Sequence, residues 1–290
     1  MRDRTGGDTI NVLVGVDKQT SLKMVVVAKD RTAGNEATVA EVIGGLRQMG
    51  HYGTLIIKTD GEPSLVELMT RVATKREAGT VLQRSPPHDS QANGLVERAV
   101  RSVEEQTRTI KLDVDRRLNM NVSVTDVIFE WILRHSVALL NWFQVGFDGR
   151  TAHHRLHGRP YRGELVPMCT GVLFRHQHEV HGGLMRERWS AGMWVGKSMA
   201  TGEHQIWPLD GSRIVNSRSI RLRDEDTRAE TVRGLTEGPR DHRARHGPRQ
   251  PVQPVPQPQQ PGARRIRQWQ ITRVLFTEYG AIPGCLKCSN

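Results

Sequence analysis

Two short valine-dense stretches open the chain, "NVLVGVD" (11–17) and "LKMVVVAK" (22–29). Such β-branched runs favour extended strands, and the polar link "KQTS" between them is short enough for a hairpin. Val39, Val42, Ile43 and Leu46 then recur at helical spacing, with Gly50 just beyond, which predicts a helix over roughly 37–49. "GTLIIKTD" (53–60) reads as a buried strand that ends on Asp60. A second helix is expected over about 63–77, and "TVLQRS" (80–85) is another extended run. From Asn93 to about Lys111, Leu95, Ala99, Val103 and Ile110 share one helical stripe. A long apolar helix follows over about 124–142. Strands alternating with helices, behind a leading hairpin, predict an α/β fold with a mixed sheet and flanking helices.

The texture changes after about residue 160, where short β runs stand between Gly, Asp and Ser. "GVLFRH", "GMWVGKS", "EHQIWPL" and "RIVNSRSIRL" predict a small β-barrel or sheet. Further on, "PVQPVPQPQQPG" has the composition of an extended, solvated linker. Four parts are therefore expected: a core over 1–155, a β module over 160–225, a Pro/Gln/Arg-rich linker over 226–265 and a basic segment over 266–290. The last two together are expected to form a disordered basic tail.

Charge sharpens this division. The 290 residues carry a net +11, and from Val232 onward 10 Lys and Arg face 3 Asp and Glu. The tail thus holds +7 and the rest +4. A polyanionic partner fits such a tail. "RRIRQWQITR" offers Arg264, Arg265 and Arg267 for phosphate and Trp269 for base stacking, or else a solvated segment. The first residues, "MRDRTGG", lack the apolar core of a secretory signal. Three cysteines do not make a disulfide framework, so an intracellular, reducing setting is expected. Cys285 and Cys288 have the spacing of half a zinc site, which would need two ligands from a continuing chain; Cys169 reads as a partly buried thiol. Glu130, Arg134 and His135 interrupt the most apolar helix, which excludes it as a membrane span.

Two carboxylates stand out. Asp60 closes an apolar strand, where open sheets keep their sites, and Glu97 stands on a helix with 36 residues between the two. Together they form a hard oxygen site suited to Mg²⁺ or Mn²⁺. Taken singly, each has a plainer reading: Asp60 as the cap of the next helix, Glu97 as a partner of the helix dipole.

"IIKTDGEP" followed by "SPPHDSQANGLVERAVRS" resembles the second and third acidic motifs of a retroviral-type integrase core, and in particular those of copia-like retrotransposon polyproteins. Gln91, Asn93, Gly94, Glu97 and Arg98 occupy the third motif's positions, and the resemblance extends over roughly 8–225. It implies a ribonuclease-H-like fold and metal-dependent polynucleotidyl transfer on DNA in the nucleus, with Asp60 and Glu97 as catalytic metal ligands. Self-association is implied too, with neither a membrane nor a small-molecule substrate. Arg98 and Arg101 would face DNA phosphate or simply solvent. The chain departs from the pattern at its front. In such folds the first of three antiparallel strands is central, runs parallel to the strand ending at the second acid, and carries the first catalytic Asp. Either 11–17 is that strand and Asp17 its acid, or the strand lies upstream and Asp17 belongs to a hairpin turn. The second is favoured, so the chain reads as a fragment, inactive in strand transfer. The alternative is a non-catalytic DNA-binding remnant of a retroelement polyprotein.

Overall fold

The computed structural model describes residues 9–28, 35–84, 90–175, 188–209, 213–223, 267–277 and 280–282. The leading hairpin is present: β1 (Thr9–Asp17) pairs antiparallel with β2 (Lys23–Ala28). Then follow α1 (Glu36–Gln48), β3 (Leu55–Thr59), α2 (Pro63–Lys75), β4 (Thr80–Arg84), α3 (Ser90–Leu118), α4 (Val127–Phe143) and the short α5 (Ala152–His157). Strands β5 (Gly171–Arg175), β6 (Trp189–Lys197), β7 (His204–Pro208), β8 (Val215–Ser217) and β9 (Ile220–Leu222) come next. Far along the chain lie β10 (Arg267–Thr277) and β11 (Gly280–Ile282).

The main sheet runs β2-β1-β10-β3-β4, with β11 pairing the end of β10. β10 is antiparallel to β1 and parallel to β3, which is parallel to β4. Three antiparallel strands followed by two parallel ones, with helices on both faces, is the ribonuclease-H-like order expected above. Its central strand, however, comes from the far end of the chain. Residues 267–277 were expected as a basic tail segment and are instead the middle of the sheet. The physical reason is the alternation in "QWQIT": Trp269 and Ile271 are buried with α1 and α2. Two inward apolar side chains make this segment a better interior strand than a solvated tail.

Period-two alternation assigns the two faces of the sheet. Val12, Val14 and Val16 lie in one core with Val96, Ala99 and Val103 of α3 and Ile128, Ile132 and Leu133 of α4. Leu13, Leu55, Ile57, Trp269 and Ile271 lie in the other, with Val39, Val42 and Leu46 of α1 and Leu65, Met69 and Val72 of α2. Gly15 permits the junction: a Cβ there would stand 3.2 Å from both Trp269 and Ile271. The Trp269 indole N–H donates to His51 Nε2 at 2.9 Å, and Arg76 donates to the His51 carbonyl at 2.8 Å. Those bonds tie β10 to the turn ahead of β3.

Helix α3 is longer than expected and begins at Ser90, so Asn93 and Gly94 lie inside it rather than at its start. Its buried stripe is Val96, Ala99, Val103, Thr107, Val114 and Leu118, while Leu95 and Ile110 pack only partly.

The second sheet runs β8-β7-β6-β5-β9, antiparallel throughout. Its two outer strands adjoin in sequence, ending at Ser217 and starting at Ile220, so the sheet must curl for one short turn to join them. Val172, Phe174, Trp194 and Ile206 fill the interior of this barrel-like module. Its outer face joins the core: Met193, Val195 and Trp207 pack in the cluster that holds α3 and α4. Among the described residues, no helix is long and apolar enough to cross a membrane.

Candidate functional site

Asp60 follows the last residue of β3 and is exposed at the sheet's edge. β10 and β3 run parallel with Ile271 beside Thr59, so one step on, Thr272 comes beside Asp60. The Thr272 hydroxyl donates to Asp60 Oδ2 at 2.9 Å. Asp60 Oδ1 accepts the backbone N–H of Glu62 at 3.3 Å, across Gly61 with φ of 88°. This local bond closes the turn that leads from β3 into α2. The carboxylate is not the cap of α2, however. The capping position is Glu62, whose own side chain accepts from Ser64 Oγ at 2.5 Å.

Because Trp269 and Ile271 point to the α1–α2 face, Thr272 points to the other face, the one α3 and α4 cover. Glu97 stands on α3 beside Val96, which packs into that face, and its own side chain is exposed. Asp60 and Glu97 therefore belong to the same side of the sheet. Among the described residues, no three His, Cys, Asp or Glu side chains gather as a metal site.

Asp17 is elsewhere. It is fully buried at the end of β1, opposite Trp269, whereas Thr272 is opposite Val14. Three residues of strand, about 10 Å, separate the two positions. Asp17 Oδ2 accepts from the Thr20 hydroxyl at 2.5 Å and from the Thr20 N–H at 3.1 Å. Those are the bonds of a turn-forming aspartate. β1 thus holds the second-strand place, and Asp17 is no third acid for Asp60.

Of the residues expected at DNA, Arg98 and Arg101 are exposed on α3, and Arg98 Nε donates to the Gly94 carbonyl at 3.2 Å. Gly94 itself meets no neighbour: a Cβ there would find nothing within 4 Å. Neither tight packing nor an unusual turn explains it. Trp269 is 0% exposed and cannot stack on a base, which corrects that expectation. Arg264, Arg265, Cys285 and Cys288 lie outside the described residues, and Arg267 is described only in its backbone. Burial pushes the Cys169 thiol up to about 12, so it stays protonated and unreactive.

Sequence reasoning missed Thr272. The available signal was the period-two run "QWQIT", masked by the proline-rich stretch that separates it from the core.

No family model matches the chain, and no curated protein does. Among solved structures, it is similar to a chain of the simian T-cell lymphotropic virus intasome, determined by cryo-EM in complex with PP2A regulatory subunit B56 gamma. That likeness has 16% identity and a TM-score of 0.41, covering 76% of this chain and 78% of that one. It is also similar to the catalytic core domain of BIV integrase, with 21% identity and a TM-score of 0.37, covering 51% of this chain and 89% of that one. The order and directions of the strands define the ribonuclease-H-like fold.

Proposed function

We propose that this chain is an integrase-type domain of a copia-like retrotransposon polyprotein that binds DNA and carries out no strand transfer as it stands. The observation behind this reading is the sheet itself. A ribonuclease-H-like strand order sets Asp60 at the end of a parallel strand, with Glu97 on the helix that covers the same face. The motif around Glu97 supports the family, the net +11 supports a polyanionic partner, and a role on DNA would place the chain in the nucleus.

The donor set does not fit a two-metal centre. Such a centre needs a carboxylate bridging both ions. Here the central strand offers a neutral hydroxyl, and both Asp60 oxygens already accept hydrogen bonds. That mismatch favours the second reading, a DNA-binding remnant, over an active transferase. No catalytic step through metal is assigned to this chain.

The test is fluorescence anisotropy with duplex DNA across a salt series, run beside a strand-transfer assay in Mg²⁺ and Mn²⁺. Binding should weaken linearly in log–log form as salt rises. If Arg98 and Arg101 each meet one phosphate, changing both to Ala should lower the slope by roughly 2. No strand transfer is expected with either ion. Absence of DNA affinity at low salt would sink the proposal.

A further inference from the structure

We propose that the Thr272 hydroxyl takes, with its proton, the place a divalent cation would hold between the central strand and Asp60. That proton keeps the chain from binding metal there, and one change, Thr272→Asp, converts the edge into a cation site.

The geometry carries this. Thr272 Oγ1 and Asp60 Oδ2 are 2.9 Å apart. An octahedral ion with ligands at about 2.0–2.1 Å sets neighbouring oxygens roughly 2.9 Å apart. The two side chains therefore stand at the spacing of adjacent ligands, held by the register of two paired strands rather than by a loop. What is wrong is their chemistry. A neutral hydroxyl donates its proton into the Asp60 carboxylate, where a cation would otherwise sit. Asp60 alone, with that oxygen already accepting a proton, would hold Mg²⁺ or Mn²⁺ only weakly, whereas two adjacent carboxylates with the remaining positions in water suit either ion.

An aspartate at 272 reverses both faults. It removes the proton that satisfies Asp60 and sets a second negative charge beside it. Without metal, two carboxylates at this spacing repel, so the variant is destabilised until a cation arrives. The backbone imposes no obstacle, because position 272 lies within a regular strand and its side chain is only half-buried. The pairing of 272 with Asp60 is independent of the integrase-type reading; only a contribution from Glu97 rests on it.

Mn²⁺ binding by electron paramagnetic resonance, with thermal melting alongside, tests the idea on the full chain. The unchanged chain should bind Mn²⁺ weakly. T272D should bind at least about tenfold more tightly, melt lower without metal and recover on adding Mn²⁺. T272D/D60N should lose the gain. A folded T272D that binds Mn²⁺ no better than the unchanged chain overturns the proposal. If T272D does not fold, T272C in a C285S/C288S background replaces it, since a thiol is close to threonine in size. Cd²⁺ should then give a thiolate charge-transfer band that D60N abolishes; no band, or one that survives D60N, also overturns the proposal. In T272D, E97Q separates the two readings. If it leaves Mn²⁺ affinity unchanged, Glu97 is not at this edge and the integrase-type reading fails, while the pairing of Thr272 with Asp60 stands.

Discussion

Individual side chains explain why a distant segment is held in the middle of this sheet. Trp269 is fully buried, stands edge-on to His51 with ring centres 5.2 Å apart, and donates its indole N–H to that ring. Facing it, Gly15 leaves the room a side chain would fill. Trp269→Ala should cost about 3–5 kcal/mol of folding stability through the cavity and the lost hydrogen bond. Urea unfolding would measure it. A cost under about 1 kcal/mol, typical of an exposed site, would mean that the indole is not in the core. The site residues were legible to different degrees. Asp60 could be found because it ends an apolar strand, and Asp17 could be read as a turn residue from "VDKQTS". Thr272 could not be found, because a threonine in a strand is common and nothing local tells which strand it will neighbour.

Among the elements, β10 has the greatest consequence. It supplies the partner of β1 along all nine residues from Thr9 to Asp17 and of β3 from Leu55 to Thr59. Ending the chain at residue 235 therefore removes the sheet's central strand. For a solvated basic tail, such a truncation would weaken DNA binding and flatten its dependence on salt. With β10 in the sheet, it should instead abolish cooperative thermal unfolding, followed by circular dichroism, because β1 and β3 each lose one hydrogen-bonded neighbour and the sheet splits into the pairs β2-β1 and β3-β4. A truncated chain that melts cooperatively near the full-length temperature would remove β10 from the sheet. Helices were read better than their ends. Starting α3 at Asn93 put Asn-Gly at its threshold, whereas the helix begins at Ser90 and Glu97 stands two turns in.

Across the chain as a unit, the core and the β module meet at His135. This residue of α4 is 5% exposed and stands edge-on to Trp194 of β6, with ring centres 5.2 Å apart. Burial pushes its pKa down from 6.5 to about 4. Below about pH 6.5 the unfolded chain takes up a proton there and the folded chain does not, so the stability this neutral ring contributes is lost as pH falls from 6.5 through 4. Between pH 7 and pH 4.5 that loss is roughly 2–3 kcal/mol. His135→Leu should reduce acid destabilisation by about that amount, measured as urea-derived stabilities at the two pH values. Equal acid sensitivity in both proteins would show that His135 is not buried at this junction.

Local order was readable along the chain because it depends on near neighbours. Period-two runs gave the strands and the curled β module, period-3.6 runs gave the helices, and turn chemistry gave the first hairpin. The placement of Asp60 at a strand end and of Glu97 on a helix was readable for the same reason, since strand ends and helices are local facts. The choice of central strand was not. It joins Trp269 to Gly15 and Ile57 across more than 200 residues, and its free energy comes from nonlocal burial and sheet hydrogen bonds. No local period reports such a pairing. Folding in three dimensions alone set β10 between β1 and β3, and with it a threonine, rather than a third acid, beside Asp60.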